Sequence, residues 1–160
     1  MGMKSNGGYF LGTKGRPYSG DAKLMGKKEA FLEYIARRKD IDINGYYDVI
    51  AHGTSTYIQI ENNGETHNID WRVTAKIIRN SKGYKGQAIR LMSCNTGAIT
   101  NGFAQNLANK LGVPVSAPTH YLFVYKNGNY FVEGSNDGGI TPNGIKGSFK
   151  TFYPNRRKTK

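Results

Sequence analysis

The fold is decided by Tyr46-Tyr47-Asp48-Val49-Ile50-Ala51-His52-Gly53 and, further along, by Ile89-Arg90-Leu91-Met92-Ser93-Cys94-Asn95-Thr96-Gly97. Each stretch is a short apolar run that ends on one side chain capable of acid–base or nucleophilic chemistry, and glycine or a small polar residue follows it. Buried strands deliver functional residues in this way to the loops at their carboxyl ends. The first stretch delivers His52, and the second delivers Cys94, the only cysteine in the chain.

The segment between the two stretches predicts that they are parallel strands of one sheet. A hairpin is expected over residues 57–69, followed by a helix over residues 71–79 with Asp70 as its N-cap. A strand–helix–strand crossover is right-handed and parallel in nearly all proteins, so both strands end at the same edge of the sheet. If the strands are neighbours, His52 and Cys94 lie side by side.

The rest of the chain predicts further elements of an α/β fold. Residues 27–39 have the apolar stripe and basic last turn of a helix, and residues 103–111 form another helix that ends at Gly112. Asn127-Gly128 predicts a hairpin between strands at 121–125 and 130–132, and other strands are expected at 113–117, at 148–153 and, as a candidate edge strand, at 7–12. The Gly- and Asn-rich segment 133–147 lacks periodicity, which predicts a mobile surface loop.

Length and composition indicate one globular domain over residues 1–160. It includes a Gly-rich basic N-terminal segment at 1–26 and a basic tail at 155–160, and 38% of the residues are apolar. No apolar run approaches the roughly 18 residues of a membrane span, and the N-terminus lacks the apolar core of a signal peptide. A domain cut from a larger secreted protein carries no signal of its own. A single cysteine forbids an internal disulfide.

The formal net charge of +12 is unevenly distributed. Residues 40–71 contain six acidic residues and no Lys or Arg, whereas residues 1–39 contain nine Lys or Arg against three acidic residues and residues 72–160 contain fourteen against two. An acidic wall near His52 favours a cationic or polar peptide substrate. The basic body suits nucleic acid, membrane phosphates or an acidic inhibitor protein. The alternative is that the charge only keeps a small domain in solution.

A cysteine and a histidine at adjacent strand ends form the strongest candidate site. A thiol of ordinary pKa is mostly protonated near neutral pH, so a nucleophilic cysteine needs a basic partner and backbone amides that hold the oxyanion. His52 supplies the partner, and the amides of Gly53 and Cys94 supply an oxyanion hole. Taken singly, each side chain is more often structural, with the thiol acting as a small buried apolar group. Their shared crossover favours the catalytic interpretation.

Other chemistry has weaker signals in this sequence. The two remaining histidines, His67 and His120, match no zinc-site spacing, so no metal is predicted. The N-terminal glycines form neither a phosphate-binding loop nor a dinucleotide fingerprint, because no strand leads from them into a helix at the required spacing. No cofactor is therefore predicted.

The motifs at the two strand ends resemble a known group of enzymes. Ile50-Ala51-His52-Gly53 and Leu91-Met92-Ser93-Cys94-Asn95-Thr96-Gly97 resemble the His-Gly and Cys motifs of the caspase-like cysteine peptidases, called clan CD. The string at 93–97 is particularly similar to the Cys motif of CHAT domains. The layout after Cys94 resembles the autoprocessing cysteine peptidase domains of large clostridial and MARTX toxins. The whole chain looks like a C-terminal toxin module of polymorphic bacterial secreted proteins.

The resemblance covers roughly residues 45–133 and carries several implications. It implies a three-layer caspase-like sheet, mostly parallel, with helices on both faces and β-hairpin additions. It makes Cys94 the nucleophile and His52 the general acid/base, with the amides of Gly53 and Cys94 as the oxyanion hole. Candidate substrate-binding residues are Asp48, Ser93, Asn95 and Thr119.

The resemblance also raises the question of an activator. Toxin autoprocessing domains bind inositol hexakisphosphate on a basic surface. Residues of the right charge for this ligand are Lys126, Lys146, Lys150, Arg156 and Arg157, although no motif marks them and a solvated basic face is the alternative.

The function predicted from these observations is that of a cysteine endopeptidase. It acts on its parent polypeptide or, as a secreted or delivered bacterial effector, on a protein in the target-cell cytoplasm, and an acidic immunity protein is a candidate partner. The alternative is a basic toxin directed at nucleic acid, either a nuclease or a binding module, on a caspase-like scaffold. A third interpretation is a catalytically inactive adaptor.

Overall fold

The structure, a computed structural model, describes residues 4–5, 8–10, 31–40, 45–62, 65–81 and 83–155. The described part is mixed α/β. In chain order its elements are β1 (Lys4–Ser5), β2 (Gly8–Phe10), α1 (Phe31–Ile35), β3 (Tyr47–Ile50), β4 (Ile58–Asn62), β5 (Glu65–Ile69), α2 (Trp71–Arg79), β6 (Ile89–Met92), α3 (Phe103–Leu111), β7 (Val115–Pro118), β8 (Tyr121–Val124), β9 (Tyr130–Ser135), β10 (Pro142–Lys146) and β11 (Phe149–Phe152).

The largest sheet has six strands in the order β1-β2-β3-β6-β7-β11. Its central pairs, β2–β3, β3–β6 and β6–β7, are parallel, whereas β1 and β11 pair antiparallel at the two edges. The predicted adjacency of the two decisive strands is therefore confirmed. The segment at 7–12 was expected to be an edge strand, but β2 is the second strand because β1 pairs on its outer side.

Apolar side chains from alternate positions of β3 and β6 belong to two separate core clusters. Val49 and Leu91 pack with residues of α2 and α3, whereas Ile50 and Met92 pack with α1 and the β8–β9 hairpin. Successive side chains of a strand point to opposite faces, so the sheet is buried on both sides. This explains why each strand ends in consecutive apolar residues, at 49–50 and 91–92, rather than alternating ones; the charged Asp48 and Arg90 that precede them pair with each other.

The helices α2 and α3 begin and end where the sequence predicts. The Asp70 carboxylate accepts hydrogen bonds from the backbone amides of Arg72 and Val73 at the start of α2. Gly112 ends α3 in the left-handed conformation, with φ of 73°, which a residue without Cβ adopts at little cost.

The first helix is shorter than expected. Helix was predicted over residues 27–39, but α1 ends at Ile35; residues 27–30 lie outside the described part. The amides of Arg37 and Arg38 donate to carbonyls three residues earlier, which tightens the chain into a turn. This turn carries the Arg38 side chain into the protein interior.

The prediction of a mobile loop over residues 133–147 was wrong for most of its length. Strand β9 continues to Ser135, and β10 pairs antiparallel with it, in a three-stranded sheet of order β10-β9-β8. Between them the Asp137 carboxylate accepts hydrogen bonds from the amides of Ile140 and Thr141 and from the Ser135 hydroxyl. These bonds, that of Thr141 foremost, lower the pKa of Asp137 to about 2. This segment is structured by the pairing of β9 with β10 and by hydrogen bonds within the loop between them. Neither leaves a periodic pattern of apolar residues in the sequence.

The remaining strands form close to their expected positions. The β4–β5 hairpin and the β8–β9 hairpin are both present, and β11 pairs with β7. Strand β7 begins two residues later than expected, at Val115. None of the helices in the described ranges is both long enough and apolar enough to cross a membrane.

Candidate active site

The register of β3 and β6 brings the predicted nucleophile and base to the carboxyl-terminal ends of two neighbouring central strands. Ile50 is the partner of Met92 in the parallel ladder, and the Ala51 amide donates to the Met92 carbonyl at 3.3 Å. His52 and Cys94 each lie two residues beyond this last pair. Both side chains are half-buried.

Gly53 lies directly against the loop that carries Cys94. A Cβ at this position would lie 2.9 Å from the Cys94 carbonyl oxygen and 3.0 Å from side-chain carbons of Ser93 and Thr96. Such distances are too short for any side chain, so glycine is required for this contact. The contact joins the end of β3 to the loop after β6.

The Gly53 amide points away from the β4 strand that follows it. Gly53 and Ile58 form an isolated antiparallel bridge, whose flanking hydrogen bonds run from the Gln59 amide to the His52 carbonyl and from the Thr54 amide to the Tyr57 carbonyl. In such a pair the central residues direct their own amides outward. This geometry suits the predicted role of the amide in an oxyanion hole.

The helix α1 packs on the side of the sheet that carries Ile50 and Met92, and it also contacts His52. The Phe31 ring lies 5.3 Å from the His52 ring, centroid to centroid, at an interplanar angle of 34°. Phe31 and Cys94 both pack against the same core cluster as Ile50 and Met92. The Phe31 ring therefore covers part of the His52 imidazole.

The strand β8 contacts the Cys94 sulfur. The Leu122 amide donates to Cys94 Sγ at 3.3 Å, and the Leu122 carbonyl oxygen lies 3.9 Å from the same sulfur. An amide donor stabilises negative charge on sulfur. Sequence reasoning missed this residue, because a backbone amide 28 positions away leaves no pattern in the sequence.

The turn after β6 has an unusual backbone conformation. Asn95 has φ of 61°, the only positive φ at a non-glycine residue in the described ranges, and its amide donates to the His120 carbonyl at 2.8 Å. The Ser93 and Thr96 hydroxyls lie 3.0 Å apart inside the turn. Asparagine tolerates the left-handed region better than most residues. The turn therefore bends sharply just after the candidate nucleophile.

A comparison with protein-family models places the chain in a family. The family described as Domain of unknown function (DUF8616) matches residues 20–132, well over half of the chain. The chain belongs to this family. No curated protein and no solved structure matches it.

The DUF8616 match includes the elements that form the candidate site. It spans His52, Gly53, Cys94 and Leu122 and ends within β9, so β10 and β11 lie outside it. The match concerns the family alone and carries no activity with it.

Two of the four candidate substrate-binding residues are buried by other contacts. Asp48 is 0% exposed; its carboxylate accepts hydrogen bonds from Arg38 and Arg90, at 2.6 to 2.8 Å. Ser93 is also buried, and its hydroxyl bonds to Thr96. We therefore do not keep Asp48 and Ser93 as substrate contacts, because their polar atoms are engaged inside the protein.

The other two candidates lie beside the Cys94 loop. Asn95 and Thr119 are half-buried, and Asn95 bonds to the carbonyl of His120, the neighbour of Thr119. The Thr119 hydroxyl contacts His120 Nδ1 at 2.8 Å and accepts from the Ser148 amide at 3.1 Å. Their assignment to substrate binding stays a prediction.

Three members of the acidic block, Asp40, Asp48 and Asp70, pair with other side chains of the protein. Arg90 bonds both Asp48 and Asp40, and the Tyr130 hydroxyl donates to Asp40. Burial alone would raise the pKa of Asp40, but the bonds from Arg90 and Tyr130 outweigh it and lower that pKa. Asp70 pairs with Arg72. Asp40 and Asp48 are thus engaged inside the protein, and the preference for cationic peptides stays a prediction.

Ligand sites receive limited support from the described residues. In the described ranges, no group of three or more His, Cys, Asp or Glu side chains is placed to hold a metal ion. Lys126, Lys146 and Lys150 are exposed on the β8–β9 turn, β10 and β11, while Arg156 and Arg157 lie outside the described part. Binding of inositol hexakisphosphate stays a prediction.

Proposed function

We propose that this DUF8616 chain is a cysteine endopeptidase in which Cys94 is the nucleophile and His52 is the general acid/base. The observation that carries the proposal is the parallel register of β3 and β6, which ends with Ile50 opposite Met92. It delivers both side chains to one sheet edge, where Gly53 packs against the Cys94 loop. The two-sided burial of the sheet also supports the finer proposal of a three-layer caspase-like arrangement.

The proposed reaction is acyl transfer through a thioester. The Cys94 thiolate attacks the carbonyl carbon of the scissile peptide bond, and the amides of Gly53 and Cys94 hold the resulting oxyanion. His52 protonates the leaving amine as the C–N bond breaks. It then takes a proton from water, whose oxygen attacks the thioester carbon and releases the new carboxylate and the thiol.

The biological setting we propose is that of a bacterial effector module. The enzyme would cleave its parent polypeptide or a protein of the target-cell cytoplasm after secretion or delivery. An acidic immunity protein would fit the basic net charge of the chain. Inositol hexakisphosphate is a candidate activator, to be tested by adding it to each assay below.

The test is the rate at which iodoacetamide alkylates the protein near pH 6. Because the chain has one cysteine, incorporated label reports on Cys94 alone. A thiolate stabilised by the site should react faster than free cysteine under the same conditions. Intact-mass measurement over time gives the rate, and His52→Ala should slow it.

The matched control is His67→Ala, which changes an exposed histidine on β5 and should leave the rate unchanged. Alkylation no faster than that of free cysteine, in the presence and absence of inositol hexakisphosphate, would contradict the peptidase proposal. Toxicity in a susceptible cell that survives Cys94→Ala would favour the nucleic-acid-directed alternative instead.

A further inference from the structure

The small sheet formed by β8, β9 and β10 has two chemically different faces. Leu122 and Val132 are buried in the cluster beneath α1. Their neighbours along β8 and β9 point to the opposite face, because side chains alternate along a strand. That outer face, here called the aromatic face, consists of Tyr121, Phe123, Tyr125 and Phe131.

The rings of the aromatic face form a continuous row. Phe123 and Phe131 are cross-strand partners whose ring centroids lie 5.3 Å apart at an interplanar angle of 18°. Tyr125 lies 5.6 Å from Phe131, and Tyr121 lies 6.5 Å from Phe123. Tyr125 is 57% exposed and the other three are half-buried. The row therefore presents aromatic surface to solvent.

Cations gather at one end of this row, at the β8–β9 turn. Arg37 Nη1 donates to the Lys126 carbonyl at 2.7 Å, and Lys39 Nζ donates to the Asn127 carbonyl at 3.1 Å. The side chains of Arg37, Lys39 and Lys126 are all exposed. We call these three residues the basic end, and Tyr125 is adjacent to it in the chain.

The acidic groups near the aromatic face are held by local hydrogen bonds. Glu133 continues the face on β9, where its carboxylate accepts from the Gly144 amide at 2.6 Å and Lys146 is its cross-strand partner. Asp137 accepts from backbone amides of its own loop. The face is thus cationic at the end where Tyr125 is most open.

We propose that the aromatic face and the basic end bind single-stranded nucleic acid. Bases stack on the exposed rings, foremost on Tyr125, and phosphates pair with Arg37, Lys39 and Lys126. This combination of stacking surface and positive charge on a sheet is the arrangement by which proteins hold unpaired bases without sequence preference. A duplex offers no free base faces to such a row.

The charge complementarity decides between this ligand and a neutral one. A neutral apolar partner would fit the rings but would gain nothing from three cations at their end. An acidic polypeptide would satisfy the cations, but it carries stacking rings only at its aromatic residues, whereas a nucleic acid carries one on every monomer. Single-stranded nucleic acid uses both features.

The experiment measures binding by fluorescence anisotropy with a fluorescein-labelled oligothymidylate of about twelve nucleotides, within the usual site sizes. It uses the Cys94→Ala protein, so the result does not depend on peptidase activity. Tyr125→Ala should raise Kd about 5- to 150-fold, as expected for the loss of one stacked base, and Tyr125→Phe should retain binding. Lys126→Ala should weaken binding of any sequence and lower the slope of log Kd against log salt by about 1.

Matched controls change comparable exposed residues elsewhere. Tyr153→Ala removes a ring that is 66% exposed after β11, and Lys85→Ala removes an exposed lysine before β6; both should leave Kd unchanged. The proposal is overturned if the oligothymidylate does not bind at low salt, or if Tyr125→Ala has no effect. It is also overturned if a duplex or polyglutamate of matched charge binds equally well.

Discussion

At the scale of single residues, the proposed mechanism makes Cys94 and His52 one functional unit. Removing either leaves only substrate binding and the oxyanion hole. We therefore expect Cys94→Ala and His52→Ala each to reduce peptide cleavage by at least about three orders of magnitude, and the double variant to lose no more than either one. The measurement is mass-spectrometric detection of cleavage in a peptide library.

These two variants should remain folded, because each side chain is half-buried at a strand end. The stability cost of each should stay within about 1 to 2 kcal/mol, as measured by urea unfolding. Losses of activity that add in the double variant would show that the two residues do not act together.

Asn95 provides a second residue-scale prediction, based on its φ of 61°. Asn95→Ala should destabilise the fold by about 1 kcal/mol, because a Cβ without a local polar group disfavours the left-handed region. Asn95→Gly should be close to neutral, since glycine adopts this conformation freely. Urea midpoints compare the two. Equal destabilisation of the Gly and Ala variants would indicate that the Asn side chain, not the backbone conformation, matters here.

At the scale of elements, α2 supports the crossover that sets the site. The Asp70 side chain caps this helix through the Arg72 and Val73 amides. Asp70→Ala should lower stability by about 1 kcal/mol, whereas Asp70→Asn should retain most of it because an amide oxygen caps equally well. Thermal unfolding of the three proteins tests this. Equal losses in both variants would show that charge, not capping, is the dominant contribution.

At the scale of the whole molecule, one buried ion network joins distant parts of the chain. Asp48 on β3 bonds Arg38, which follows α1, and Arg90 on β6, and Arg90 extends the network to Asp40. Burial alone would lower the pKa of Arg90, but Asp48 and Asp40 outweigh it and raise that pKa. The network ties α1 to the sheet, and α1 places Phe31 against His52.

Breaking this network should be costly. Arg90→Met leaves the buried Asp48 charge undercompensated, which should destabilise the fold by about 3 to 5 kcal/mol. The matched control is Arg72→Met, which removes the exposed pair with Asp70 and should cost less than about 1 kcal/mol. Urea unfolding gives both values, and similar costs would contradict the assigned importance of burial.

The same network predicts how stability depends on pH. The pKa of Asp40 is lower in the folded protein than its ordinary value of 3.8. Its contribution to stability is therefore fully present above about pH 3.8 and is lost as the pH falls through the lower folded value. The free energy of unfolding of the wild type should fall more steeply on acidification than that of Asp40→Asn. Parallel pH profiles would contradict this.

The elements that depend on local signals could be predicted from the sequence. Asp70 and Gly112 mark helix ends, Asn127-Gly128 marks a hairpin, and the apolar runs before His52 and Cys94 mark buried parallel strands. Caps, turns and crossover handedness depend on residues close in the chain or on chain chirality, so they are readable before the fold is known.

Which charges are buried, and which groups surround the thiol, became visible only in the folded protein. From the sequence Asp48 was a candidate substrate contact, but in the structure its carboxylate is buried between Arg38 and Arg90. No sequence pattern marks the Leu122 amide as a contact of the Cys94 sulfur. Strand β10 likewise exists through pairing with β9 rather than through its own composition. These features arise from contacts between residues far apart in the chain, whose free energy depends on burial and geometry that no local pattern encodes.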